Sequence, residues 1–202
     1  MTETLAEYRI LVGSILATAV DSATWTTAII DDAVRHALTL YNRFPIYEST
    51  FTVTAAGSDQ DMSDITDLDE ILAVAYPWSD GANFAERMRR TRDIADQTVY
   101  FEDCAPAVDD EIRVRYTKQH TIEDLDSASA TTVPERHARI VALFAAGHAC
   151  VERYRQLSEN PATPTQALDA MRFAASQYMD EARDLVASHR RAVNPQWSGI
   201  GL

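Results

Sequence analysis

Between residues 59 and 70 the chain carries oxygen-bearing side chains at the spacing of a calcium loop. Counting Asp59 as the first position, Asp59, Asp61, Ser63, Asp67 and Glu70 fall at positions 1, 3, 5, 9 and 12, from which an EF-hand loop presents most of its ligands. A hard divalent cation wants such a set of carboxylate and hydroxyl oxygens, so a calcium-dependent binding module is one reading of this segment. Two departures count against it. Position 6 is Asp64 where the sharp turn requires glycine, and the flanking residues read as strands instead of paired helices. The competing reading is a solvated acidic strand edge, because charge on an edge discourages sheet-to-sheet aggregation.

His137, His148 and Cys150 are the other residues of metal-binding type. On one helix the two histidines are separated by about 16 Å along the axis, too far to share an ion. His148 and Cys150 point to different sides, and His36, His120 and His189 have no ligand spacing, so the histidines read as unconnected. No nucleophile motif occurs, and with 6 glycines in the chain a backbone cradle for phosphate is hard to build. Arg87, Arg89, Arg90 and Arg92 form one basic cluster. In an alternating strand Arg87 and Arg89 share one face, and Arg90 and Arg92 the other. Their expected partners are the protein's own acids or the acidic half of a neighbouring copy. No catalytic residues and no cofactor are expected, and the chain does not read as an enzyme.

Composition narrows the function further. A net charge of −13 argues against a phosphate-binding surface, which needs clustered cations. Residues 1–80 carry 13 acids against 3 Arg, whereas residues 81–202 carry 18 acids against 15 basic residues, so an acidic first half would let nucleic acid slide past without sticking. No apolar run approaches the roughly 20 residues that cross a bilayer. Residues 10–20 are apolar at helical spacing, but Glu3 and Glu7 precede them where a signal peptide needs positive charge. A soluble cytoplasmic product with no membrane contact is the expectation. Cys104 and Cys150 imply no disulfide framework, and Cys150 reads as a small hydrophobe.

The elements follow from periodicity. Thr4-x-x-Glu7 is a capping box, and Leu5, Tyr8, Leu11/Val12 and Ile15/Leu16 continue it as one apolar stripe. A polar link over 21–26 holds Trp25, and a second stripe runs through Ile29/Ile30, Ala33/Val34, Ala37/Leu38 and Tyr41. The period then changes to that of strands, expected over 47–53, 70–78, 84–93, 97–102 and 111–118, with Pro106 in a hairpin turn. Residues 119–132 lack periodicity and read as a long loop. Thr132-x-x-Glu135 and Thr163-Pro164-Thr165-Gln166 each look like a capping box opening a helix, the second running to about residue 191. These two helices carry the stripes Ile140, Leu143/Phe144, Gly147, Val151, Tyr154 and Leu168, Met171, Ala175, Tyr178/Met179, Ala182, Leu185/Val186. With them there are four stripes, none able to bury itself alone, which predicts an α+β fold: a four-helix bundle with an inserted antiparallel β domain and an extended C-terminal tail. The expected boundaries are 1–44 for the N-terminal helix pair and 45–132 for the β domain with its loop. The C-terminal helix pair takes 133–193 and the tail 194–202.

That tail carries large apolar residues beyond the last helix. Asn194, Pro195, Gln196, Trp197, Ile200 and Leu202 are the candidate partner-binding residues, with Trp197 as anchor, against the alternative that they dock on the protein's own bundle. The opening Leu5-Ala6-Glu7-Tyr8-Arg9 helix, the Trp25 link into a helix ending at 37–41, the strand block closing on 111–120, and Thr132-Val133-Pro134 before an Ala-rich helix form a recognisable layout. It resembles the head–tail adaptor (connector, neck) proteins of tailed bacteriophages over nearly the whole chain. The resemblance is a pattern of elements, not a signature of residues. It implies a structural virion protein made in the host cytoplasm and placed between capsid portal and tail. There it would form a homo-oligomeric ring, typically a dodecamer, bound to the portal protein and to the next neck or tail protein. DNA would pass through the channel without specific binding. It also implies that the tail reaches the portal. A neck stopper or tail-completion protein is the nearest alternative role.

Overall fold

The computed structural model describes residues 3–16, 25–95 and 97–193. It is an α+β protein of five helices and two small antiparallel sheets. The chain divides into two compact units, one made of residues 1–41 with 120–202 and the other of residues 42–119.

In the first unit, α1 (Leu5–Leu16) begins where the sequence places it. Thr4 N donates to Glu7 Oε2 at 2.7 Å and Glu7 N to Thr4 Oγ1 at 3.4 Å, which satisfies two orphan amides of the first turn. Its stripe of Leu5, Tyr8, Val12 and Leu16 is buried, as are Ile30, Ala33, Val34, Ala37 and Tyr41 of α2 (Thr27–Tyr41). Arg9 ties the two helices through paired 2.7 Å hydrogen bonds from Nε and Nη2 to Asp31. The helix α4 (Ala138–Ser158) is buried almost all round from Ala138 to Cys150, the signature of a helix with neighbours on every side. Those neighbours are α1, α2 and α5 (Thr165–Val193). Gly147 lets α5 come close: a Cβ there would lie 2.9 Å from Met179 Cγ. Among the described residues no helix is long and apolar enough to cross a membrane.

Residues 120–132, expected as a loop of the β insertion, group instead with the helices. Backbone and side chain hold them there: Leu5 N donates to Glu123 O at 3.1 Å, and Thr131 Oγ1 donates to Glu3 O at 2.7 Å. Ile122, Leu125 and Val133 are buried. The capping box expected at Thr132 does not form. Its hydroxyl oxygen accepts from Thr121 N at 2.9 Å, and a short 3-10 turn, Glu135–His137, leads into α4. The helix α4 therefore opens without a side-chain cap.

In the second unit, β1 (Tyr47–Thr52), β6 (Glu111–Lys118) and β3 (Leu68–Ala75) form one sheet in the order β1-β6-β3. The other sheet has β2 (Asp59–Asp61), β5 (Thr98–Phe101) and β4 (Thr91–Ala95) in the order β2-β5-β4. The alternation read from sequence is what buries one face of each: Ile112, Val114 and Tyr116 from β6, and Val99 and Phe101 from β5, join Val53, Met62, Ile65 and Val74 in one core. The expected strand over 84–93 is divided. Phe84–Arg87 is a short helix, α3, capped by Asn83, whose side chain accepts from Ala85 N at 3.1 Å. The chain then bridges to β3 at Met88 and continues as β4.

Candidate functional site

The five calcium-type residues are not gathered around one point. Asp59 and Asp61 lie on β2, Ser63 and Asp67 in the turns that follow, and Glu70 on β3, which belongs to the other sheet. Asp61 is turned onto its own turn, accepting from Ser63 N at 2.8 Å and Ser63 Oγ at 2.9 Å. Among the described residues no three His, Cys, Asp or Glu side chains are placed to hold a metal ion. The reason is local: the loop spacing presents ligands inward only when the chain coils round the ion, and here it runs through two strands.

The histidines, expected to be unconnected, meet across elements. His36 of α2 stacks on His148 of α4 with ring centroids 3.9 Å apart. His137 sits between Tyr41, whose hydroxyl is 2.6 Å from its Nδ1, and His189 of α5, at a centroid distance of 4.7 Å. Tyr41 also meets the edge of His120. Burial and the neighbouring His189, Arg136 and His120 push the His137 pKa down to about 4. The His148 ring is likewise held below its ordinary value, chiefly by burial and then by His36. At neutral pH the His137 ring is uncharged, and its tautomer sets which of the Tyr41 hydroxyl and Nδ1 donates in their hydrogen bond. Sequence reasoning missed this, because each contact joins residues far apart in the chain.

The thiols are poor nucleophiles. Burial pushes Cys150 up to about 11, and burial with the nearby Asp103 carboxylate raises Cys104. A groove of about 310 Å³ lies between α4 and α5, floored by Val151, Tyr154, Ala175 and Met179. Two charged groups at its rim satisfy each other, Arg183 to Asp180 at 3.1 Å.

The arginine cluster differs from its expected alternation. Arg87 ends α3, and Arg89 is half-buried with Nε donating to Tyr76 O at 2.7 Å. Arg90 and Arg92 are exposed, and Arg92 lies over the Tyr100 ring at 4.9 Å. Among the described residues Arg87, Arg90 and Arg92 make no ion pair. By contrast Arg113 and Arg115 pair with Glu48 across the β1–β6 ladder, and Arg115 also stacks on Phe84 at 3.8 Å. The tail candidates Asn194, Pro195, Gln196, Trp197, Ile200 and Leu202 lie outside the described residues. No protein-family model matches the chain. Nor does any curated protein match it.

Proposed function

We propose that this chain is a structural head–tail adaptor of a tailed bacteriophage. In this reading it forms a ring of twelve copies below the portal, extends the DNA channel and docks the next neck or tail protein. One observation carries the reading. Helices from both ends of the sequence share a single core around α4, while the intervening segment has a core of its own. That arrangement is compatible with the α+β layout of elements on which the resemblance to head–tail adaptors rests. Charge supports it: the unit of residues 42–119 carries 16 acids against 8 basic residues, so DNA would be repelled from it instead of held. The tail from Asn194 to Leu202, with Trp197 as anchor, is assigned to the portal contact.

Quantitative mass spectrometry on purified particles tests the reading. The chain should be present at the copy number of the portal protein. Its absence from particles would overturn the adaptor assignment. The tail has its own test: a chain lacking residues 194–202 should fold but fail to join portals, and normal incorporation would end that assignment.

A further inference from the structure

All five histidines of the chain lie in the helical unit and are drawn into ring contacts there. His36 stacks on His148, joining α2 to α4, and His120 meets Tyr41. His137 and His189 join the entrance of α4 to the far end of α5, their rings meeting edge to face with centroids 4.7 Å apart. The position of His189 sets this pair apart. Val186 is the last buried side chain of α5 among the described residues. His189, half-buried about one turn further on, is the last of them seen against another element.

Charge sets it apart as well. His137 is faced by the Tyr41 hydroxyl from α2, by His120 from the segment that follows the β unit, by His189 from α5, and by Arg136 beside it. Among the described residues every charge acting on it is positive, and the free amides at the start of α4 add to that field. Glu135, in the same turn, is exposed. The His36–His148 pair is placed otherwise: Glu152 lies 4.0 Å from His148 Nε2, and Glu152 and Asp32 both favour a proton there. A proton on His137 finds no such compensation. It would leave the Tyr41 contact intact, because the hydroxyl oxygen can accept from Nδ1–H, but it would set like charge against the surrounding rings. Of those rings His120 is buried, with Nδ1 3.1 Å from Thr132 O, whereas His189 rides on the end of a helix.

We propose that the last turns of α5, from about residue 187 onward, are an acid-released latch: neutral His137 holds His189 in place, and a proton on His137 frees this end of the helix while the rest of the bundle stays closed. The other ties between α4 and α5 lie further back, in the 2.7 Å Arg139–Glu181 pair and in Met179 against Gly147. The sign follows from linkage. With the latch closed His137 takes up a proton only near pH 4, and with it open the ring moves back towards 6.5, so the open form gains as pH falls between these values. Residues 194–202 follow the latch directly in sequence, so its release frees the point from which they start. The proposal does not depend on the adaptor reading.

Amide hydrogen exchange of the full chain tests it, read as protection factors so that the pH dependence of intrinsic exchange cancels. Between about pH 7 and about pH 5, above most carboxylate titration, protection over residues 187–193 should fall roughly tenfold. Residues 140–150 in the middle of the bundle should keep theirs, because only the helix end opens. His137→Gln should hold the protection of 187–193 equal at the two pH values, and His36→Gln, which alters the other histidine pair, should leave the fall in place. Should His137→Gln not fold, the contrast between the two segments of the wild type decides. Equal protection of 187–193 at both pH values, a fall shared equally by 140–150, a fall that persists in His137→Gln, or one abolished by His36→Gln would each overturn the proposal. The free chain is what is measured, so failure here is distinct from failure of the adaptor reading.

Discussion

At the scale of single residues, two side chains of the helical core are held in states that water would not favour. Tyr8 has no exposed surface, and its hydroxyl has no hydrogen-bond partner among the described residues. Burial, with the Glu3 charge behind it, raises its pKa. An unsatisfied buried hydroxyl carries a desolvation penalty of about 1–3 kcal/mol, which the aromatic ring's burial has to offset. Tyr8→Phe should therefore stabilise the protein by about 1 kcal/mol in urea unfolding, and a loss of stability would reveal a partner for the hydroxyl. His137 acts in the other direction. Its folded pKa of about 4 lies below the 6.5 of the unfolded chain, so the unfolded state binds the proton first as pH falls. Above 6.5 the ring is neutral in both states and contributes no pH dependence; stability is lost as pH falls from 6.5 towards about 4. His137→Gln should flatten the change in melting temperature between about pH 7 and about pH 5, a window above most carboxylate titration. An unchanged slope would place the proton uptake elsewhere.

At the scale of elements, legibility tracked the range of the interaction. The start of α1 was readable because the Thr4–Glu7 box is closed within one turn, and the core face of β6 because Ile112, Val114 and Tyr116 alternate. The helix Phe84–Arg87 was not, since four residues complete barely a turn and leave no periodic stripe. Thr132 was misread because its hydroxyl oxygen, which could have capped α4, accepts from Thr121 instead. The acidic run at 59–70 and the arginine run at 87–92 were visible as charge, but the strand order β2-β5-β4 is encoded by no local pattern. At Gly147, within the small run Ala145-Ala146-Gly147 of α4, the close approach has a specific partner in Met179 of α5. Gly147→Leu should thus destabilise the helical unit by about 1–3 kcal/mol through overpacking. Gly147→Ala should cost less, because the flexible Met179 side chain can shift and alanine adds about 1 kcal/mol of helix propensity. Equal effects from the two would mean that α4 and α5 do not touch at this point.

At the scale of the whole molecule, the question is whether one chain carries two independently folding bodies. Residues 42–119 enclose their own core, from Val53 and Met62 through Phe101 to Tyr116, and their strands pair with one another. The helical unit, for its part, is closed by contacts between residues that flank the insertion: the Tyr41 and His120 rings are 5.2 Å apart, and Leu5 N reaches Glu123 O. The insertion therefore leaves and re-enters the helices at neighbouring points, the arrangement in which an inserted unit can be removed without pulling its host apart. A fragment of residues 42–119 should give the dispersed amide spectrum of a folded β protein. The complementary chain, with a short Gly/Ser linker from Tyr41 to His120, should retain cooperative helical unfolding. If the fragment is unfolded while the linked helices fold, the β unit depends on the helices for its stability. If neither folds alone, the division into units describes contacts only, and each core draws stability from the other.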